Sequence, residues 1–125
     1  MPKKAISMDT LIQRVKNHPH ISKAGMILCH NGIVRESDRS GSRNVRALRV
    51  AVDEEKIRDI VLWAKSQQGI IEVVVEALQG EFGVGDDLMY VVVAGDVREN
   101  VFRVMREVVE RIKQEGVSKT EIYAD

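Results

Sequence analysis

The stretch IIEVVVEALQGEFGVGDDLMYVVVA, Ile70–Ala94, decides the fold. Its opening, Ile70–Leu78, is rich in β-branched residues and reads as a strand buried on at least one face. Asp87–Ala94 reads as a second strong strand. Between them, Gln79–Asp86 carries Gly80, Gly83 and Gly85 and must turn, so these read as hairpin glycines with Asp86 and Asp87 solvated. They form neither GxGxxG nor a P-loop, because a strand rather than a helix follows them.

Working outward, each flank of this pair carries a helix. Upstream, Asp53 is a natural N-cap, and Glu54 and Glu55 sit where the helix dipole favours negative charge. Ile57, Ile60, Val61 and Ala64 form an apolar stripe running to about Gln68, and Gly69 is the stop. Downstream, Asp96 and Glu99 have the spacing of a capping box. The helix they open runs to about Glu115, with Val101, Phe102, Met105, Val108, Val109 and Ile112 on its apolar side, and Gly116 ends it. Farther out, Ala24–Val34 and Asn44–Val52 read as strands, the first with an irregularity at Asn31-Gly32. The polar segment Arg35–Arg43 between them reads as a mobile loop. Ser7 caps a short helix to Asn17, which His18-Pro19-His20 breaks. Lys119–Tyr123 forms a short final strand. The order is α-β-β-α-β-β-α-β: an α+β fold, a mostly antiparallel sheet with helices packed on it.

The length, 125 residues, suits a single domain over 1–125, and no linker or repeat divides it. Aromatics make up 4%, so the core must be aliphatic, and platforms of stacked aromatics for nucleic acid are disfavoured. Lys plus Arg and Asp plus Glu are both 19, and zero formal charge argues against binding nucleic acid or anionic membrane by bulk charge. A single cysteine, Cys29, excludes an intrachain disulfide and reads as a buried small hydrophobe. No apolar run approaches a membrane span, and none follows the basic start Met1-Pro2-Lys3-Lys4, so a cytoplasmic protein is expected.

Two groups of residues suggest chemistry. Arg35, Arg39, Arg43, Arg46 and Arg49 fall within 15 residues, opposed by Glu36 and Asp38. Arginine forks suit phosphate or carboxylate, and Arg35, at a strand end, is the best-placed member. Against this stands a solvated loop running into a polar strand face. Lys113, near the end of the last helix, and Lys119, at the start of the final strand, flank Gly116, which lets the chain reverse and the amines meet. Neighbouring cations and partial burial lower a lysine's pKa. The competing reading of Lys113 is a helix C-terminus that favours lysine through its dipole. His18, His20 and His30 make no metal-ligand set and read as surface or turn residues.

In order along the chain, these pieces resemble the large, catalytic subunit of molybdopterin synthase. The likeness runs from about Gly25 to Glu121. It rests on Gly32-Ile33-Val34-Arg35, on Val45-Arg46-Ala47-Leu48, on the turn Gly85-Asp86-Asp87, and on Val97-Arg98 with Phe102 following. It closes on Lys113 and on Ser118-Lys119-Thr120-Glu121. Val97 stands where the family has histidine, a second histidine-arginine pair near Glu76-Ala77 is absent, and the proline and tryptophan before the second lysine are missing.

The resemblance implies an enzyme of molybdenum cofactor biosynthesis. It would transfer sulfur from a thiocarboxylated, ubiquitin-like small subunit ending in Gly-Gly to cyclic pyranopterin monophosphate, giving molybdopterin. It implies Lys113, Lys119 and Arg35 as catalytic residues. Val34, Arg35, Arg98, Lys113, Lys119 and Glu121 would contact substrate. No metal or cofactor is implied, and a homodimer is. Arg98 and Lys113 are fifteen residues apart on one helix, about 22 Å at 1.5 Å per residue, so one chain's Arg98 is expected to serve its partner's Lys113. Two rivals stand beside this: a non-catalytic homologue binding an anion or partner on the same scaffold, and nucleic-acid binding through the arginine loop.

Overall fold

The computed structural model describes residues 6–124. The elements are α1 (Met8–Lys16), β1 (Met26–Ile33), β2 (Val45–Val52), α2 (Glu54–Lys65), β3 (Ile70–Ala77), β4 (Gly80–Gly83), β5 (Asp87–Gly95), α3 (Arg98–Arg111) and β6 (Val117–Tyr123). A 3₁₀ turn, Ile21–Lys23, precedes β1, and a π turn, Ile112–Gly116, joins α3 to β6. The fold is α+β, and the strands form two antiparallel three-stranded sheets, ordered β1-β5-β3 and β4-β2-β6.

β5 is central to the first sheet and buried on both faces, which explains its unbroken apolar run. Val91 and Val93 join the main core with Leu48, Val50, Ile57, Ile60, Val101, Val104, Val108 and Ile112. Tyr90, Val92 and Ala94 face the other way, against Leu11 and Val15 of α1. Each fully buried aliphatic side chain contributes about 1.5–3 kcal/mol relative to exposure. Among the described residues no polar or charged side chain is fully buried, so the charges that do chemistry sit at the edge of this core.

Ser7 and Asp53 cap α1 and α2 as expected, Ser7 within a reciprocal box with Thr10. Asn31-Gly32 marks the β1 irregularity, a register shift between Gly32 and Ile33. α2 ends at Lys65, and Gly69 (φ +79°) turns the chain into β3.

Several expectations are corrected. The glycine-rich segment holds a strand: β4 leaves the hairpin to pair with β2, where Phe82 sits opposite Leu48 and Glu81 opposite Arg49. Phe82 packs against the main core and supplies the burial that holds so short a strand. Asp96 does not cap α3. Its backbone N–H is held by the Gly69 carbonyl at 2.8 Å, and its carboxylate accepts from Val97 N–H and Asn100 Nδ2, so the helix starts one residue later without the Glu99 box. Phe102 lies on the helix flank, 52% exposed, while Val104 takes the core-facing position. Cys29 is exposed, because β1 is an edge strand and α1 covers its Ile27 end. The last helix does not run on to Glu115 but widens into the π turn at Ile112.

Candidate functional site

The register of the second sheet selects which charges face inward. Directly opposed residues of antiparallel strands share a face. Lys119 stands opposite Val50 and Glu121 opposite Leu48, both core residues, so the alternation Lys119, Glu121, Tyr123 lies on the inner face of β6. Arg49 points outward and pairs with Glu81 at 3.0 Å.

Lys113 reaches the same place by another route. Ile112 is fully buried and anchors the π turn, while Gly116, also buried, closes it. A Cβ on Gly116 would lie 2.6 Å from Ile57 Cδ1, so a larger residue here would force the Ile57 side chain to shift within the core. π turns are frequent at functional sites, and this one presents Lys113 one residue after the anchor.

The arginine loop supplies the opposite wall. Val34, buried, exchanges backbone hydrogen bonds with the β4–β5 turn: its N–H donates to Asp86 O and its carbonyl accepts from Gly85 N–H. Arg35 follows at once, and its Nε donates to Ser37 O at 3.1 Å. The loop expected to be mobile is closed on itself. Ser37 bridges to Asn44, and Asp38 accepts from Ser40 Oγ and Ser42 N–H. These hydrogen bonds, the Ser40 one foremost, hold the Asp38 carboxyl below its ordinary pKa. The Arg43 guanidinium stacks on the Tyr123 ring at 3.7 Å, tying the loop to β6.

These walls enclose a cleft of about 730 Å³. Val34, Arg35, Lys113, Lys119 and Glu121, named from sequence, all line it, together with Ser37 and Arg39. Four cations face one carboxylate in a chain of zero net charge, so the cleft concentrates positive potential where the whole chain has none. The Lys119 ammonium is pushed below the ordinary lysine pKa, first by burial and then by the charge of Lys113, with Glu121 opposing. Arg98 is not in the cleft: it stands at the far end of α3, exposed and 3.6 Å from Glu99.

Sequence reasoning missed His30. It is part-buried on β1 and lines a chamber with both lysines. The period-2 pattern of β1 places Leu28, His30 and Gly32 on one face, but nothing local indicates that this face meets Lys113. Arg39 was legible as a member of the arginine cluster, though not as a wall of this cleft.

A curated probable molybdopterin synthase of Haloferax volcanii is 26% identical over 114 residues, covering 88% of this chain and 44% of the relative. The chain thus spans less than half the length of that relative. A solved molybdopterin synthase structure from Staphylococcus aureus superimposes with a TM-score of 0.79 at 20% identity, covering 98% of this chain and 88% of that one. A complex of subunits 1 and 2 of a molybdopterin-converting factor from Helicobacter pylori gives 0.69 at 20% identity, over 97% and 86% of the two chains. The family model described as MoaE protein matches residues 1–115. By that match over most of its length, the chain belongs to the MoaE protein family.

Proposed function

We propose that this chain is the catalytic large subunit of a molybdopterin synthase, transferring sulfur from a thiocarboxylated small carrier protein to a cyclic pyranopterin monophosphate. One observation carries the reading: Arg35, Lys113 and Lys119 converge on a single cationic cleft although they come from three separate elements. The relatives' names and the family match support the same reaction class.

The residues divide the work by chemistry. The Arg35 guanidinium, fixed by Ser37, is suited to the substrate phosphate, with Arg39 beside it. Lys113 and Lys119 draw in the carrier's thiocarboxylate and stabilise negative charge that develops as sulfur is passed on. The lowered pKa of Lys119 brings its amine nearer to exchanging a proton in the physiological range. Val34 and Glu121 shape the cleft and balance its charge. Arg98 acts in trans across a homodimer, since its own Lys113 lies at the other end of the helix. The protein works in the cytoplasm; among the described residues no helix is long and apolar enough to cross a membrane.

The test is reconstitution with a thiocarboxylated small subunit and the pyranopterin precursor, assaying dithiolene product. Wild type is expected to form product, and Lys113→Ala and Lys119→Ala to lose it. Binding of the carrier without product would overturn the catalytic reading in favour of a non-catalytic homologue on the same scaffold.

A further inference from the structure

Behind the cationic cleft lies a smaller, more enclosed chamber of about 140 Å³ that shares Lys113 and Lys119 with it. His30 lines this chamber. Its ring lies beside Gly32, with Nε2 3.8 Å from where a Cβ would stand there. The remaining walls are apolar, with Met89 from β5 and Ile112 from the π turn among them. The charged groups that line the chamber with His30 are Lys113 and Lys119, and it is the charge of Lys113 that acts on the ring.

We propose that His30 is the general base that activates the water which frees the sulfur carrier from the sulfurated substrate. The proposal rests on the sulfur-transfer reading above. A thiocarboxylate sulfur that has bonded to a substrate carbon is still bonded to the carrier's carbonyl carbon, as a thioester. Completing the transfer takes one water and no oxidant or reductant. The water oxygen bonds to the carbonyl carbon as the imidazole takes one of its protons. The C–S bond then breaks, its electron pair staying on sulfur, and His30 returns the proton to that sulfur. The carrier leaves as a carboxylic acid, whose proton passes to solvent.

The surroundings favour this role. Burial first, and the charge of Lys113 second, push the His30 pKa below the ordinary histidine value. The ring is thus neutral at neutral pH, the form a base requires. The two lysines line the same chamber, and cations beside the scissile carbonyl would stabilise the oxyanion of a tetrahedral intermediate.

The experiment is a quenched single turnover with thiocarboxylated carrier and pyranopterin precursor, followed by intact-mass analysis across pH, on wild type and His30→Gln. Wild-type release is expected to fall on the acid side, with a midpoint below the ordinary histidine value. His30→Gln is expected to accumulate the carrier–substrate adduct, release it ~10²-fold or more slowly, lose that acid limb, and regain release with added imidazole. Release at the wild-type rate, or an unchanged acid limb, would overturn the proposal. If wild type forms neither adduct nor product, the sulfur-transfer reading itself fails and this inference falls with it. NMR titration of the His30 ring tests the placement without turnover. The midpoint should rise in Lys113→Met, and a ring titrating normally and indifferent to Lys113 would also overturn the proposal.

Discussion

Lys119 on β6 stands directly opposite Val50 on β2, a residue only 4% exposed. A lysine in register with a core valine keeps its stem on the apolar face and its amine at the rim. The residue as a whole is exposed, and it is the partial burial of its side chain that is the main cause of its lowered pKa. Below that lowered value both native and unfolded chains hold the proton, and the native state bears the desolvation cost. As pH rises toward the unfolded value, the unfolded chain holds more protons and native stability rises. Lys119→Met should therefore be more stable than wild type at pH 7, with the gap narrowing as pH climbs through the alkaline range. Urea unfolding at several pH values measures it, and a gap independent of pH would mean that the amine is fully solvated.

Arg35 should dominate anion affinity. Its guanidinium is fixed by the Ser37 carbonyl at the cleft wall, whereas Arg49, on the outward face of β2, is paired with Glu81. Charge-assisted hydrogen bonds are worth about 1.5–3 kcal/mol each, so Arg35→Ala should weaken inorganic pyrophosphate binding roughly tenfold to hundredfold. Arg35→Lys should fall between, because an ammonium lacks the fork. Arg49→Ala should leave affinity unchanged. Calorimetric titration decides it, and equal losses from Arg35→Ala and Arg49→Ala would indicate diffuse charge attraction rather than a built site.

The helices and long strands were legible because their signals are local: apolar periodicity, Ser7 and Asp53 as caps, and the β-branched runs that became β3 and β5. β4 was not, since four residues between glycines carry too little pattern. Its stability comes from Phe82 meeting Leu48, a pairing set by β2. The same limit applied to the site. Arg35, Lys113 and Lys119 were identified by residue type and family likeness, and they meet in the cleft. His30 is not legible as a neighbour of the lysines, because that depends on which face of β1 turns toward the π turn, a tertiary fact. The Asp96 expectation failed for a comparable reason: a long-range hydrogen bond from Asp96 to Gly69 outcompeted the local capping geometry.

Gly116 and Ile57 should be energetically coupled. A Cβ at 116 would meet Ile57 Cδ1 at 2.6 Å inside the main core, and overpacking of this kind costs about 1–3 kcal/mol. Gly116→Ala should destabilise by that amount. Ile57→Val deletes the clashing methyl, so the same glycine change should cost distinctly less in that background. Denaturant unfolding of the two single variants and the double variant closes the cycle. Strict additivity would show that the turn relaxes some other way. Because the turn carries Lys113, carrier-dependent activity should fall further in Gly116→Ala than stability alone explains.

The placement of Arg98 makes the dimer testable through activity. Arg98 opens α3 and Lys113 follows its end, about 22 Å apart along the axis, too far for one small substrate. If each site combines Arg98 of one protomer with Lys113 of its partner, then Arg98→Ala and Lys113→Ala should each inactivate both sites of a homodimer. Mixing the two inactive variants under exchange should restore activity. Random assortment makes half the dimers mixed, and each mixed dimer has one site with both native residues, so recovery should approach roughly a quarter of wild type. The doubly substituted chain mixed with wild type gives the converse control. Its mixed dimers carry one lesion in every site, so activity should fall to about the same quarter, rather than the half expected if each chain worked alone. Failure of the first mixture to regain activity, with subunit exchange confirmed by mass, would place Arg98 outside the reaction of the partner's Lys113.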